Sequence, residues 1–306
     1  MSDKLMLLDT ASLYFRAFYG IPDKVKAADG TSVNATRGLL DIIAKLVSLY
    51  DPSHIVACWD DDWRPQWRVD LIPSYKTHRV VEVVSTGPDV EEVPDPLEAQ
   101  LPLIREALTT LGIPIIGAAE HEADDVIGTL ATRATGPIDI VTGDRDLFQL
   151  VDDDRGIRVV YTARGMSNLE IVTDETVVAK YGVLPSQYAD FATMRGDTSD
   201  GLPGVAGVGE KTAATLLKAH GDLDGIRAAA AAGEGMSTGV RAKIAAASDY
   251  LDVAPTVVEV ARDLDIEAPT VPTRPLDPAM ADAARDLAAR WNLGSSMDRA
   301  IAALSD

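Results

Sequence analysis

The chain has 306 residues, 46% of them hydrophobic, with one cysteine, four histidines and a formal net charge of −20. That length holds one large or two ordinary domains with real cores. Cys58 alone excludes an internal disulfide framework, and with four histidines it makes no zinc-spaced set.

Taken in order, Leu5 to Asp9 reads as a buried strand ending in a carboxylate. It is too brief for a membrane span or a secretory leader, and with the lone Cys58 implying a reducing compartment, a cytoplasmic setting without membrane contact is expected. Ala11 to Tyr19 is predicted helical, and Asn34 is expected to cap a longer helix with an apolar stripe of Leu39, Leu40, Ile43, Leu46 and Val47. His54 to Trp59 is a second strand, ending in Asp60; Ile113 to Ile116 is a third and Ile138 to Val141 a fourth. Strands alternating with helices predict a mostly parallel α/β sheet, whose carboxyl edge is the natural opening.

Between strand two and the next helix, Trp63 to Arg79 carries Arg64, Arg68, Lys76, His78 and Arg79 against one acid, Asp70, with Trp63, Trp67 and Tyr75 interleaved. Such a mixture suits phosphate neutralisation and base stacking, although an exposed helix with inward aromatics would read the same way. Val80 to Pro96 is acidic and broken by Gly87, Pro88, Pro94 and Pro96, and is expected to be a mobile loop or lid margin.

Glu122, Asp124 and Asp125 crowd the first turn of a helix whose Val126, Ile127 and Leu130 have core spacing. Acids there are favoured by the helix dipole. The strand at 138–141 then breaks at Thr142-Gly143 and delivers Asp144 and Asp146. Five carboxylates at one sheet edge repel one another unless a cation sits among them, and hard oxygen ligands suit Mg²⁺ or Mn²⁺. A solvated acidic face is the bland alternative. It gives no reason for three strands to end in Asp9, Asp60 and Asp144 at the same edge.

Beyond Val151 a last strand is expected at 157–161, a capped helix at 173–181, and Ala-rich helices thereafter, with 279–291 and 297–304 the clearest. Asp197 and Asp200 precede the glycine turn Gly204, Gly207 and Gly209, which opens into a helix carrying Lys211. Glycines there let backbone N–H groups approach a phosphate at a helix N-terminus. The net charge of −20 argues against a nucleic-acid partner only globally, because potentials fade over about 8 Å at physiological salt.

Together, Asp9 with Arg16-Ala17, Asp60, W-R-x-x-L-x-x-x-Y-K-x-x-R at Trp67 to Arg79, E-A-D-D-V-I-G, T-G-D-x-D and G-D-x-S-D before a helix-hairpin-helix resemble the 5'-3' exonuclease and flap endonuclease family. In particular the chain resembles the nuclease domain of bacterial DNA polymerase I, as a free-standing protein. The similarity spans roughly Leu5 to His220.

The resemblance implies a PIN-like catalytic domain at 1–170 with a helical arch at about 63–111, and a helical domain at 171–306 with a helix-hairpin-helix at about 197–220. It implies two or more Mg²⁺ or Mn²⁺ ions, one held by Asp9, Asp60, Glu122 and Asp124 and a second surrounded by Asp125, Asp144, Asp146, Asp197 and Asp200. Lys76 and Arg79 would contact the scissile phosphate with Arg68 supporting. Arg16, Tyr75, Gly204, Gly207, Gly209 and Lys211 would bind DNA, with K⁺ at the hairpin.

The implied partners are 5' flaps, nicked or gapped duplex, 5' ends and RNA–DNA primers, met by a nucleoid-associated monomer in replication or repair. Asp125→Asn or Asp146→Asn is then expected to lower turnover by at least about a hundredfold while leaving folding intact. Gly201 stands where the family commonly has Asn. Residues 221–306 are too few for a polymerase. A non-catalytic DNA-structure binder, a PIN-like ribonuclease and an acidic metal-buffering scaffold are the rival readings.

Overall fold

The computed structural model describes residues 4–84 and 88–305. It opens with β1 (Leu5–Asp9), α1 (Thr10–Gly20), α2 (Asn34–Tyr50), β2 (His54–Cys58) and α3 (Gln66–Leu71). A hairpin, β3 (Val80–Glu82) and β4 (Val90–Glu91), precedes α4 (Asp95–Glu98), α5 (Leu101–Thr110), β5 (Ile115–Ile116), α6 (Ala123–Arg133), β6 (Ile138–Thr142), β7 (Ile157–Tyr161) and β8 (Glu170–Val172). The rest is helical: α7 (Asp174–Tyr181), α8 (Tyr188–Arg195), α9 (Glu210–His220), α10 (Leu223–Ala232), α11 (Thr238–Ala246), α12 (Ser248–Val258), α13 (Pro278–Trp291) and α14 (Ser295–Ser305).

β1 shows why a sheet forms with helices on both faces. Its side chains alternate, Met6 and Leu8 entering one core and Leu7 the other, so neither face tolerates water. The sheet order is β5-β2-β1-β6-β7-β8, parallel except for β8 against β7. The chain winds outward in opposite directions from β1 and β6, which makes their junction the switch point where a crevice opens. Asp9 stands there, opposite Cys58 of β2.

Several expectations are refined. Asn34 is not a cap; it is the first helical residue, and its amide donates to the Phe18 and Ile21 carbonyls at 2.9 and 3.0 Å. Segment 63–111 forms no continuous helical arch among its described residues, because Pro65, Pro73, Pro88, Pro94 and Pro96 keep its helices short. The expected loop at 80–96 is instead the β3–β4 hairpin, with Gly87 lying outside the described residues. A buried Arg64–Asp89 ion pair and a 2.7 Å hydrogen bond from Trp63 Nε1 to the Asp89 carbonyl pin it down.

The boundary expected at 170 does not divide the packing. β8 straddles it, and one apolar core joins Leu7 and Val56 of the sheet to Phe191, Val208 and Leu217. The closing helices return to the opposite face, α14 on α2 and α13 on α5, placing Leu287, Met297, Ile301 and Leu304 in the core with Leu39 and Ile43. No helix among the described residues is long and apolar enough to cross a membrane.

Candidate active site

Asp9 ends β1 and caps α1, accepting from Ser12 N at 3.2 Å and from Thr142 Oγ1 at 2.6 Å. Asp60 follows β2 and accepts from Ala123 N at the start of α6, 2.8 Å away. Asp124 sits in that first turn, and Asp144, just past β6, accepts from Asp146 N at 2.9 Å. Asp197 accepts from Ser199 N at 2.8 Å and from Arg195 at 3.0 Å, and Asp200 receives Arg79 at 3.1 Å.

One cavity of about 350 Å³ at the carboxyl edge is lined by Asp9, Asp60, Glu122, Asp124, Asp144 and Asp197 together with Lys76 and Arg79. Asp146 and Asp200 do not line it, but each lies within electrostatic reach of Asp144, which does. Asp146 Oδ1 is buried with no hydrogen-bond partner among the described residues.

Burial raises these carboxyls, and their mutual repulsion adds to it. Asp9 is pushed up to about 7, with Asp60 and Asp144 outweighing part of the help from Thr142. Asp60 rises to about 6, and Asp124 and Asp146 lie well above the usual carboxylate range. Such acids are short of positive charge. Their hard oxygens and the orphaned Asp146 Oδ1 fit a divalent ion, although no three His, Cys, Asp or Glu side chains among the described residues are placed to hold one as they stand.

Asp125 and Arg68 do not join the cavity. Asp125 faces back into the protein, where Arg68 grips it through two hydrogen bonds of 2.7 and 2.8 Å and Ala261 N donates at 2.8 Å. Burial raises its carboxyl, yet Arg68 prevails and holds it below the usual range. Arg68, itself 3% exposed, is committed to Asp125 and Glu122 and does not reach a phosphate from there. The cause is helical geometry: successive residues point about 100° apart, so adjacent acids face different ways.

Glu122 is also committed. Its Oε1 accepts from Arg68 at 2.9 Å and from the Tyr75 hydroxyl at 2.6 Å, while Oε2 pairs with Lys76. Lys76 is buried and sits in the left-handed region at φ 48°, with its N–H donating to the Asp200 carbonyl at 2.9 Å. Tyr75 is thus buried against Glu122 and not exposed for stacking.

Arg16 lines a neighbouring groove of about 800 Å³ that shares Ser12 and Phe15 with the cavity. At the glycine turn, Gly204 (φ 65°) packs so closely on Gly196 that a Cβ would lie 2.5 Å from its nitrogen. Gly207 also has positive φ, and Gly209 caps α9 without a side-chain bond. Lys211, Lys180 and Lys218 border a shallow depression beside α9. Sequence reasoning missed Glu91, Ser12, Phe15, Tyr161 and Arg145 in the cavity wall. Of these only Arg145, between Asp144 and Asp146, was readable from its place in the chain.

Residues 4–182 match the family described as 5'-3' exonuclease, N-terminal resolvase-like domain, and residues 183–279 match 5'-3' exonuclease, C-terminal SAM fold. A 5'-3' exonuclease of Streptomyces coelicolor is 56% identical over 98% of this chain and 100% of its own length. DNA polymerase I of Mycobacterium bovis is 43% identical over 72% of this chain and 23% of the polymerase. The fold matches that of the bacteriophage T5 flap endonuclease, crystallised as a pseudo-enzyme-product complex with DNA and metal ions. That match has a TM-score of 0.63 and 14% identity, and covers 99% of this chain and 100% of the other.

Proposed function

The chain belongs to the 5'-3' exonuclease family, and from that premise we propose that it hydrolyses DNA phosphodiesters at 5' ends and at the base of 5' flaps with two or more Mg²⁺ or Mn²⁺ ions. The observation that carries this reading is the cavity at the carboxyl edge, where burial, with repulsion between the acids added, holds carboxyls above their ordinary range. Asp9, Asp60 and Asp124 would hold one ion, and Asp144, Asp146, Asp197 and Asp200 the second. Ions bound there supply Lewis acidity and a hydroxide nucleophile at neutral pH.

The chain's own residues do the rest. Lys76 and Arg79 line the cavity, where they escort the incoming phosphate past the acids and stabilise charge on its non-bridging oxygens. Glu122 serves chiefly to seat Lys76 and Tyr75, and Arg68 with Asp125 forms the support beneath them. Gly207, Gly209 and Lys211 offer backbone amides and a cation to the duplex, with K⁺ as a further ligand of that turn. Arg16 binds the strand leaving the cavity. Nicked and gapped duplexes and RNA–DNA primers are substrates of the same kind, met by a monomer during primer removal and repair.

The test is a 5'-labelled DNA flap and a nicked duplex incubated with Mg²⁺, Mn²⁺ or EDTA. Short 5'-labelled products in the metal lanes alone, with 3' hydroxyls on the fragments, are expected. Structure-selective binding without cleavage in either metal would make the chain a DNA-structure binder. Cleavage of RNA alone would make it a ribonuclease.

A further inference from the structure

Arg195 joins the acids proposed for the second ion to the start of α9. Its side chain is 10% exposed, and its nitrogens face different neighbours. Nε donates to the Gly196 carbonyl at 2.9 Å and Nη2 to Asp197 Oδ2 at 3.0 Å. Nη1 is buried without a hydrogen-bond partner among the described residues, and it lies 3.6 Å from Glu210 Oε1, an ion pair too long for a hydrogen bond. The charge of Arg195 also reaches Asp146.

Glu210 occupies an awkward place. It is the first residue of α9, directly after the N-cap Gly209, and it lines the depression bordered by Lys180, Lys211 and Lys218. Its side chain is 56% exposed among the cations and helix amides proposed to receive a duplex phosphate, so it repels what they attract. One guanidinium therefore serves two acids, Asp197 in the cavity wall and Glu210 at the turn. The backbone between them is pinned. Asp197 N donates to the Leu202 carbonyl at 3.0 Å and Leu202 N to the Asp197 carbonyl at 2.7 Å, while Val205 N donates to the Met194 carbonyl at 2.9 Å. With the backbone held, the guanidinium is the part that redistributes its contacts.

We propose that Arg195 is a positioning residue that couples the ligand set around Asp197 to the grip of the glycine turn on duplex DNA. This rests on the nuclease reading given above. When Asp197 turns to a divalent ion, Arg195 loosens its hold there and closes on Glu210, which satisfies Nη1 and masks the carboxylate that repels a phosphate. In the other direction, a phosphate at the turn draws Nη1 and leaves Asp197 freer to bind an ion. Both shifts favour one state, as linkage requires: the factor by which an ion tightens duplex binding is the factor by which duplex tightens ion binding. A short single strand that fills the cavity alone gains nothing from it.

The experiment measures the affinity for a fluorescent flap duplex in Ca²⁺ and in EDTA, for the wild type, Glu210→Gln, Arg195→Gln and the double variant. The ratio of the two Kd values is the coupling factor. Glu210→Gln changes an exposed side chain and should keep the wild-type melting temperature. In EDTA it is expected to bind duplex about fivefold tighter than the wild type, because one repelling charge has gone. Its coupling factor should fall at least about fivefold. Arg195→Gln should lose the same factor but bind more weakly in EDTA, where Glu210 is unmasked, and the double variant should lose no more than either alone. A wild-type coupling factor in Glu210→Gln, or losses that multiply in the double variant, overturns the proposal. So does a wild type that cleaves the flap in Mg²⁺ but whose duplex affinity Ca²⁺ leaves unchanged. A wild type that cleaves nothing in Mg²⁺ removes the nuclease reading instead, and the coupling with it.

Discussion

Neighbouring acids at the start of α6 do opposite work. Asp124 opens into the cavity, whereas Asp125 closes onto Arg68 and the Ala261 amide. Breaking a buried pair by removing one partner costs about 3–5 kcal/mol, so Asp125→Ala and Arg68→Ala should each lower the unfolding free energy, measured by urea titration, by that much. Asp146→Asn removes a repelled carboxylate instead. Turnover should fall at least about a hundredfold, roughly 2.7 kcal/mol of barrier, with no loss in the unfolding midpoint. Full stability in Asp125→Ala, or wild-type cleavage by Asp146→Asn at saturating Mg²⁺, would refute these roles. The motif E-A-D-D announced acids at a helix start; which acid faces which way depends on Arg68, 57 residues earlier, and cannot be read locally.

The same acids set a pH dependence. Asp9, at about 7 in the folded chain, keeps between roughly pH 4 and pH 7 a proton that the unfolded chain has released. Folding takes up protons in that window, so the stability gained is complete below the ordinary carboxylate range and is lost as pH rises through 7. Metal-free protein should melt lower at pH 8 than at pH 5. Mg²⁺ should raise the melting temperature more at pH 8, where ligands need not lose protons first. Equal Mg²⁺ shifts at both pH values would contradict this assignment.

At the scale of elements, the turn 72–76 docks onto the turn at 200–201. Ser74 Oγ donates to the Gly201 carbonyl at 2.7 Å and Lys76 N to the Asp200 carbonyl at 2.9 Å. A Cβ on Gly201, where φ is 72°, would lie 2.0 Å from the Ser74 carbonyl oxygen. Gly201→Ala should therefore shift the turn that carries Lys76 and cost about 1–3 kcal/mol of stability. Cleavage should fall at least tenfold; unchanged cleavage would show that the docking does not position Lys76. Strands β1, β2 and β6 were legible because each is a short apolar run ending in polar residues. The hairpin at 80–91 was not, because its alternation is weak and its hold on the chain is Arg64 reaching Asp89.

For the molecule as a whole, the chain returns on itself. α14 covers α2 while α12 and the strand of backbone after it reach Arg68, Asp125 and Gln149. Burial of Leu287, Met297, Ile301 and Leu304 contributes on the order of 6–12 kcal/mol, comparable to the whole margin of a typical domain. A chain cut before Asp277 is expected to show no cooperative calorimetric transition. A sharp melt within a few degrees of the intact protein would show the closing helices to be dispensable. Helices α13 and α14 were legible as elements from their periodicity, but their return to the first face was not, since sequence spacing says nothing about which layer a late helix joins.

The amide of Ala261 that completes the grip on Asp125 lies 136 residues later in the chain. At about 5–20 residues per second of synthesis, that interval lasts on the order of 7–27 s. Throughout it a nascent chain already displays Asp9, Asp60 and Asp124 but lacks the last bond of the support beneath Lys76. The support beneath Lys76 is thus finished late in translation, after the glycine turn at 204–209 has been synthesised.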